Sequence, residues 1–494
     1  LNLGLRWDYE TPRKDRFDKL TNFDFTAASP LQAPGLTTRG GLTFVGVNGL
    51  SRYNADPDRN NFAPRLGLAY RVTSKTVIRT GGGLFYGSST GIGTGSGAFG
   101  ISGFQTSTNI VTSLDGVTPI VNWSNPFPQG LNQPTGSRLG LATLLGQDVA
   151  FFNRGNRLPY SGQWNFNIQQ ELPFAMVFEV GYAGSRGIKW PQNRQYNQLP
   201  DAALAEGNGL RTQTANPFRG QISVGPLAQA TVARAQLLRP FPHFTSVTSQ
   251  NEHWASSTYH ALESRLEKRL TNNFSFLASY TYSKLLDYGI GGFAGEDLSG
   301  QTFQNWNNMS AEWASSTADM THRFILNAVY EVPFARNRKG LVGGLFGGWQ
   351  IAGIWSAYSG GPLGVTSAVN NNFSQGGGQR PDWNGQSPLA ANPRPEQWLD
   401  RTAFSNAPAY AFGTAPRTFN GARSDRTDGV DITFAKNTRI RERFQLQFRA
   451  EFFNIANTPR FAPPNVVFGN AQFGVVSAQG NQPRVAQFAL KLSR

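Results

Sequence analysis

Four histidines, His243, His253, His260 and His322, are the side chains of this 494-residue sequence best suited to hold a metal or move a proton near neutral pH. Their spacing serves neither purpose, because none stand in an H-x-x-x-H or H-E-x-x-H arrangement. The chain has 0 Cys, which removes thiolate metal sites, disulfides and cysteine nucleophiles together. Asp319, His322 and one of the scattered serines would supply the three groups of a hydrolase triad. No G-x-S-x-G elbow presents such a serine, and no acid–base set has a defined spacing. The run Gly91–Gly100 contains G-x-G, but a phosphate cradle needs a helix behind it, and Thr94–Gln105 has no helical period, so a surface loop is expected. Asn54-Ala-Asp-Pro-Asp-Arg-Asn-Asn61 offers oxygen ligands for Ca²⁺, yet it matches no defined calcium loop, and the same residues simply make turns. The expectation is no enzyme activity, no cofactor and no resident metal.

The composition points elsewhere. Charged residues are 15%, aromatics 13% and Gly 55, an unusual balance for a soluble chain of this length. The sequence lacks any apolar run of about 20 residues, and its mean hydropathy is −0.37, so a helical membrane bundle is excluded. A β-barrel is not, because barrel strands alternate apolar outward residues with polar inward ones and the average hides this. The net charge of +15 is spread along the chain with no run of five basic residues, so nucleic acid is not an expected partner.

Period-two alternation is the dominant pattern. In Phe444–Phe452, Phe444, Leu446, Phe448, Ala450 and Phe452 share one face, while Gln445, Gln447, Arg449 and Glu451 share the other. The same test gives strands at Leu1–Glu10, Phe62–Val72, Thr76–Tyr86, Tyr160–Leu172, Met176–Arg186, Thr258–Arg269, Asn273–Leu286, His322–Val332, Trp349–Ser359, Gly429–Lys436, Arg443–Asn454 and Arg484–Arg494. The polar faces carry Arg6, Arg65, Arg79, Glu263, Arg265, Arg449 and Glu451, with Asp8, Glu179 and Glu267. These are candidate lumen-facing residues, able to line a substrate path or to pair and fill the interior. Trp7, Tyr9, Tyr70, Tyr86, Trp164, Tyr182, Tyr282 and Tyr330 suit an aromatic girdle at the membrane surfaces.

Connection lengths complete the pattern. Tight turns at Thr73–Lys75, Pro173–Ala175 and Leu270–Asn272, and compact links at Arg336–Gly348 and Asn437–Glu442, alternate with long stretches near 11–61, 87–159, 187–257, 287–321, 360–428 and 455–483. Short periplasmic turns and long extracellular loops predict one outer-membrane β-barrel domain over 1–494, all-β and antiparallel, with about twelve strands here. Both ends then lie in the periplasm. The sequence opens inside an expected strand with no signal peptide, so it reads as a segment of a longer exported protein.

Asn60–Tyr70, Thr76–Tyr86, Val180–Gly187, Tyr259–Glu263, Ser279–Lys284, His322–Phe324, Gly348–Ile351 and Phe452–Pro459 together resemble the large TonB-dependent receptors of the Oar-like type, which carry a carboxypeptidase-regulatory-like domain and are common in Acidobacteria. The resemblance implies that the chain is the C-terminal part of a 22-stranded barrel. The plug domain, the box that contacts TonB and the first strands would precede Leu1. It also implies uptake of a bulky nutrient, such as a siderophore, glycan or peptide, with outer-membrane lipid, the TonB complex and an extracellular ligand as partners. A surface-exposed binding or adhesion barrel and a passive porin remain alternatives.

Overall fold

The computed structural model describes residues 1–88, 100–289, 303–335, 340–374, 377–440 and 444–493. The Gly91–Gly100 run weighed above falls, except for its last residue, outside them.

Twelve strands hydrogen-bond in chain order into one sheet, each antiparallel to the next, as alternating segments joined by tight turns must be. They are Asn2–Asp8, Asn61–Arg71, Thr76–Tyr86, Tyr160–Leu172, Met176–Gln195, Ser246–Thr271, Phe274–Asp287, His322–Glu331, Trp349–Tyr358, Thr427–Ile440, Phe444–Phe453 and Val485–Ser493. Among the described residues the first strand pairs only with the second and the last only with the eleventh, so the sheet has two free edges.

Local chemistry sets the short turns. Asn272 and Asn273 both take positive φ, 53° and 61°, the conformation a two-residue hairpin turn demands and Asn tolerates. At the turn before Thr76, the backbone N–H of Val72 donates to the Thr76 carbonyl at 3.0 Å. The expected link Asn437–Glu442 is shorter than read, because the tenth strand runs to Ile440, which pairs with Phe444. The Arg336–Gly348 link carries a short helix, Gly340–Phe346.

Two strands depart strongly from the sequence reading. The fifth continues to Gln195 rather than ending at Arg186, and the sixth begins at Ser246 rather than Thr258. Their extensions pair with each other through three register shifts, and Asp148–Phe152 adds a parallel strand alongside. Ser246–Ser257 therefore adds at most about 40 Å of strand length at about 3.3 Å per residue. No apolar alternation marks this part, since outside hydrocarbon neither face is required to be apolar.

Described parts of the long connections pack into cores of their own. Pieces of three of them, plus Val247 of the sixth strand's extension, build one core of Phe23, Leu42, Phe44, Val149, Phe151, Phe241, Phe244 and Val247. The connections at 360–428 and 455–483 share another, centred on Leu399, Phe404, Phe419, Phe468 and Phe473. These layers form a cap at the end of the sheet away from the tight turns. In the wall itself the buried apolar residues are small, including Ala63, Ala261, Ala435 and Ala450.

Candidate functional site

Register assigns every wall residue to one of two faces, because directly opposed residues on neighbouring strands point the same way. Starting from Arg6, which opposes Ala63, the chain of partners runs through Arg65–Gly83, Arg79–Asn167, Asn167–Gly181, Gly181–Glu263 and Glu263–Thr281. It continues through Thr281–Arg323, Arg323–Tyr358 and Tyr358–Thr427. Thr433, on the same face of that strand as Thr427, opposes Glu451. Arg6, Arg65, Arg79, Glu263, Arg265, Arg449 and Glu451 thus share a single face of the sheet. Leu277, Ile325 and Ile354 lie on it too, so the face is charged and mixed rather than wholly polar.

On that face three ion pairs form along single strands, where residues two apart point the same way. Arg6 meets Asp8 at 2.6 Å, Arg265 meets Glu267 at 2.6 Å, and Arg449 meets Glu451 at 2.7 Å. All three pairs are partly solvent-exposed and contribute little to stability, below about 1 kcal/mol each. Arg65 lays its guanidinium on the Phe85 ring, 4.6 Å from the centroid. Among the described residues Arg65 and Arg79 have no ion pair.

The opposite face is apolar. Leu66, Tyr70, Phe166, Tyr182, Leu262, Tyr330 and Leu490 are all exposed on it. Of the aromatic residues expected in a girdle, Trp7, Tyr70, Tyr86, Trp164, Tyr182, Tyr282 and Tyr330 take this face, and Tyr9, just beyond the first strand, stacks on Trp7. Several of its polar residues are held by neighbours, while Arg186, near the cap end of the fifth strand, is exposed on it. Tyr182 shares a hydrogen bond with His260 Nδ1 at 2.6 Å, and Tyr280 one with His322 Nδ1 at 2.8 Å. Lys268 and Lys436 turn their ammonium groups back to turn carbonyls, Thr271 and Gly347, at the strand ends.

The other chemistry-bearing residues stand apart. Asp319 accepts from Arg423, Lys284 and the Leu285 N–H, while His322 is engaged by Tyr280, so hydrogen bonding does not link the two into a relay. In the Asn54–Asn61 segment, Asp56 pairs with Arg154 at 2.8 Å and Asp58 accepts from the Leu158 N–H at 2.8 Å, fastening two connections together. Among the described residues no three His, Asp or Glu are placed to hold a metal. His243 is fully buried in the aromatic core with Nε2 donating to the Gly40 carbonyl at 3.1 Å, and burial pulls its pKa down to about 4.

Sequence reasoning missed the ionic joint between wall and cap. Arg380 binds Glu312 in two-pronged fashion at 2.7 and 3.1 Å, with both side chains buried. Arg417 bridges Asp287, at the top of the seventh strand, to the Glu312 carbonyl at 2.6 and 2.8 Å. The partners lie 68 to 130 residues apart, and nothing in their local sequence announces them.

A many-stranded antiparallel wall with one lipid-compatible face, one charged face and alternating tight turns and folded connections defines a transmembrane β-barrel wall. Residues 1–487 match the family described as the outer membrane beta barrel domain, and the chain belongs to that family; its place is the bacterial outer membrane. No curated protein matches the sequence. Among solved structures it is similar to the outer membrane transporter YddB from Escherichia coli, at 8% identity and TM-score 0.40, covering 92% of this chain and 42% of that one. It is also similar to BauA, the ferric preacinetobactin receptor of Acinetobacter baumannii, at 11%, 0.37, 92% and 41%. For the pyoverdine receptor FpvA of Pseudomonas aeruginosa PAO1 the figures are 10%, 0.37, 92% and 39%. The chain spans well under half the length of these proteins.

Proposed function

We propose that this chain is the C-terminal wall and cap of a TonB-dependent receptor of the Oar-like type that takes up a bulky nutrient, its charged face turned to the barrel interior and its cap to the exterior. The observation that carries the reading is the register itself, which places most charged residues on one face of the twelve strands and most large apolar residues on the other. The two free edges support a larger barrel, since an unpaired strand edge in hydrocarbon leaves backbone groups unsatisfied at several kcal/mol each. Further strands, and a plug engaging TonB, would come from outside this chain. A siderophore, glycan or peptide fits equally, and no catalysis is invoked.

A surface-binding role has one observation in its favour. In the 106–134 segment, Leu114, Val117 and Trp123 are 85%, 84% and 100% exposed, more apolar surface than a passive pore mouth requires. Planar-bilayer recording of the full-length protein separates the alternatives. A plugged receptor stays closed, whereas a steady open-pore conductance would establish the porin instead. Binding of the purified receptor to the periplasmic domain of TonB distinguishes transport from adhesion.

A further inference from the structure

The charged face is not evenly filled. Between the second and sixth strands it holds a recess of about 450 Å³ whose floor is nearly free of side chains, because Gly81, Gly83 and Ala183 lie there. The glycines are demanded by the neighbours. A Cβ on Gly83 would stand 2.9 Å from Arg65 Cγ and 3.0 Å from the Pro64 carbonyl, so only glycine lets the Arg65 stem lie across the strand. Arg65, Phe85, Gln163, Asn165 and Tyr259 wall the space.

These walls form a coherent chemical set. Among the described residues the guanidinium of Arg65, held against Phe85, is the only charged group lining the recess. Among the described residues the side chains of Arg65, Gln163, Asn165 and Tyr259 make no hydrogen bond to the rest of the protein, in contrast to Arg6, Arg265 and Arg449, which pair along their own strands. A guanidinium presents a planar fork that matches an oxyanion in bidentate fashion. Two amides and a phenol beside it supply both donors and acceptors, as hydroxyl groups next to that anion would need.

We propose that this recess is a binding subsite for a small anionic, hydroxyl-bearing ligand, an acidic sugar or hydroxy acid, with Arg65 taking the charge and Gln163, Asn165 and Tyr259 its neighbouring hydroxyls. The subsite rests on the assignment of the charged face to the water-filled interior. The anion is a carboxylate or a phosphate, which Arg65 binds alike.

The test is saturation-transfer NMR on the full-length receptor in detergent, with glucuronate, glucose 6-phosphate and glucose as probes. Expected is saturable transfer to one or both anionic sugars, carboxylate or phosphate identifying the source, and at least fivefold less to glucose. Arg65→Met should reduce the anion signal at least fivefold and Arg65→Lys by less. Heat-dependent gel migration certifies that each variant is a folded barrel. Equal signals from glucuronate, glucose 6-phosphate and glucose, or anion signals unchanged in folded Arg65→Met, would overturn the subsite. So would silence of all probes, the result expected if another segment of the protein fills the recess. Labelling of Arg65→Cys by a water-soluble maleimide reports the facing separately. Labelling without anion binding sinks the subsite alone, and protection of that cysteine together with labelling of a cysteine on the apolar face sinks the facing assignment beneath it.

Discussion

The wall and the cap are made from the same chain by opposite rules. In the wall, each strand separates two environments, and side chains are sorted by face at every residue, as in Phe444–Phe453. There is almost no buried core, only hydrogen-bonded backbone and small residues such as Ala435 and Ala450. In the cap, water lies outside and the apolar residues turn inward on one another: Phe23 packs against Phe151 and Phe241, each with ring centroids 5.2 Å away. The wall is thus specified locally by period and turn chemistry. The cap is specified by contacts between distant connections, and its buried charges must find exact partners across them.

Breaking the cap's ionic joint should have the largest effect. Arg380→Met leaves Glu312, 1% exposed, as an unpaired buried carboxylate, a loss of about 3–5 kcal/mol. Limited proteolysis should then cut within 303–321 and 377–428 while heat-dependent gel migration shows the wall intact. Joint loss of wall and cap would mean that the two are one cooperative unit.

Within the wall, neighbouring substitutions sharpen the contrast. Leu446→Arg places a charge on the apolar face toward the turn end of its strand and should cost about 1–3 kcal/mol, between the interfacial and midplane values. Gln447→Arg, one residue on and beside Asn437, should cost less than half of that. Refolding of the complete barrel into lipid vesicles measures both, and the reverse order would shift this strand's register by one.

Acidity should loosen the cap before the wall. His243 titrates at about 4 when buried and near 6.5 when exposed, so the opened cap binds the proton more readily. The stabilisation is complete above about pH 6.5 and is lost as pH falls toward 4, by at most about 3 kcal/mol. Hydrogen exchange in 39–44 and 241–247 should quicken over that window, and His243→Gln should flatten the dependence. At the small end, Asp8→Asn removes an exposed pair and should change vesicle-refolding stability by under about 1 kcal/mol.

Legibility in the sequence follows the same division. Thr76–Tyr86 and Tyr160–Leu172 match their expected bounds because hydrocarbon imposes period two over their whole length. The extensions Gly187–Gln195 and Ser246–Ser257 were not legible, since outside lipid the alternation has no cause. Nor were the cap's short strands, such as Thr21–Ala28 with Arg39–Phe44, whose residues read as turn-rich connection. The common face of Arg6, Arg65, Arg79, Glu263, Arg265, Arg449 and Glu451 was legible from parity alone. The empty floor beside Arg65 was not, because Gly81–Gly83 reads as strand or loop until Gln163 and Asn165 are brought across from the fourth strand.

A wall that turns one face to lipid and the other to water reports that facing residue by residue. The chain has 0 Cys, so single cysteines at positions 444–453 of the complete barrel can be spin-labelled without background. After reconstitution, oxygen collisions should peak at Phe444, Leu446, Phe448, Ala450 and Phe452. Collisions with a water-soluble nickel chelate should peak at Gln445, Gln447, Arg449 and Glu451, giving period two with the phases opposed. Alternation in the reverse phase, or no alternation, would contradict the account.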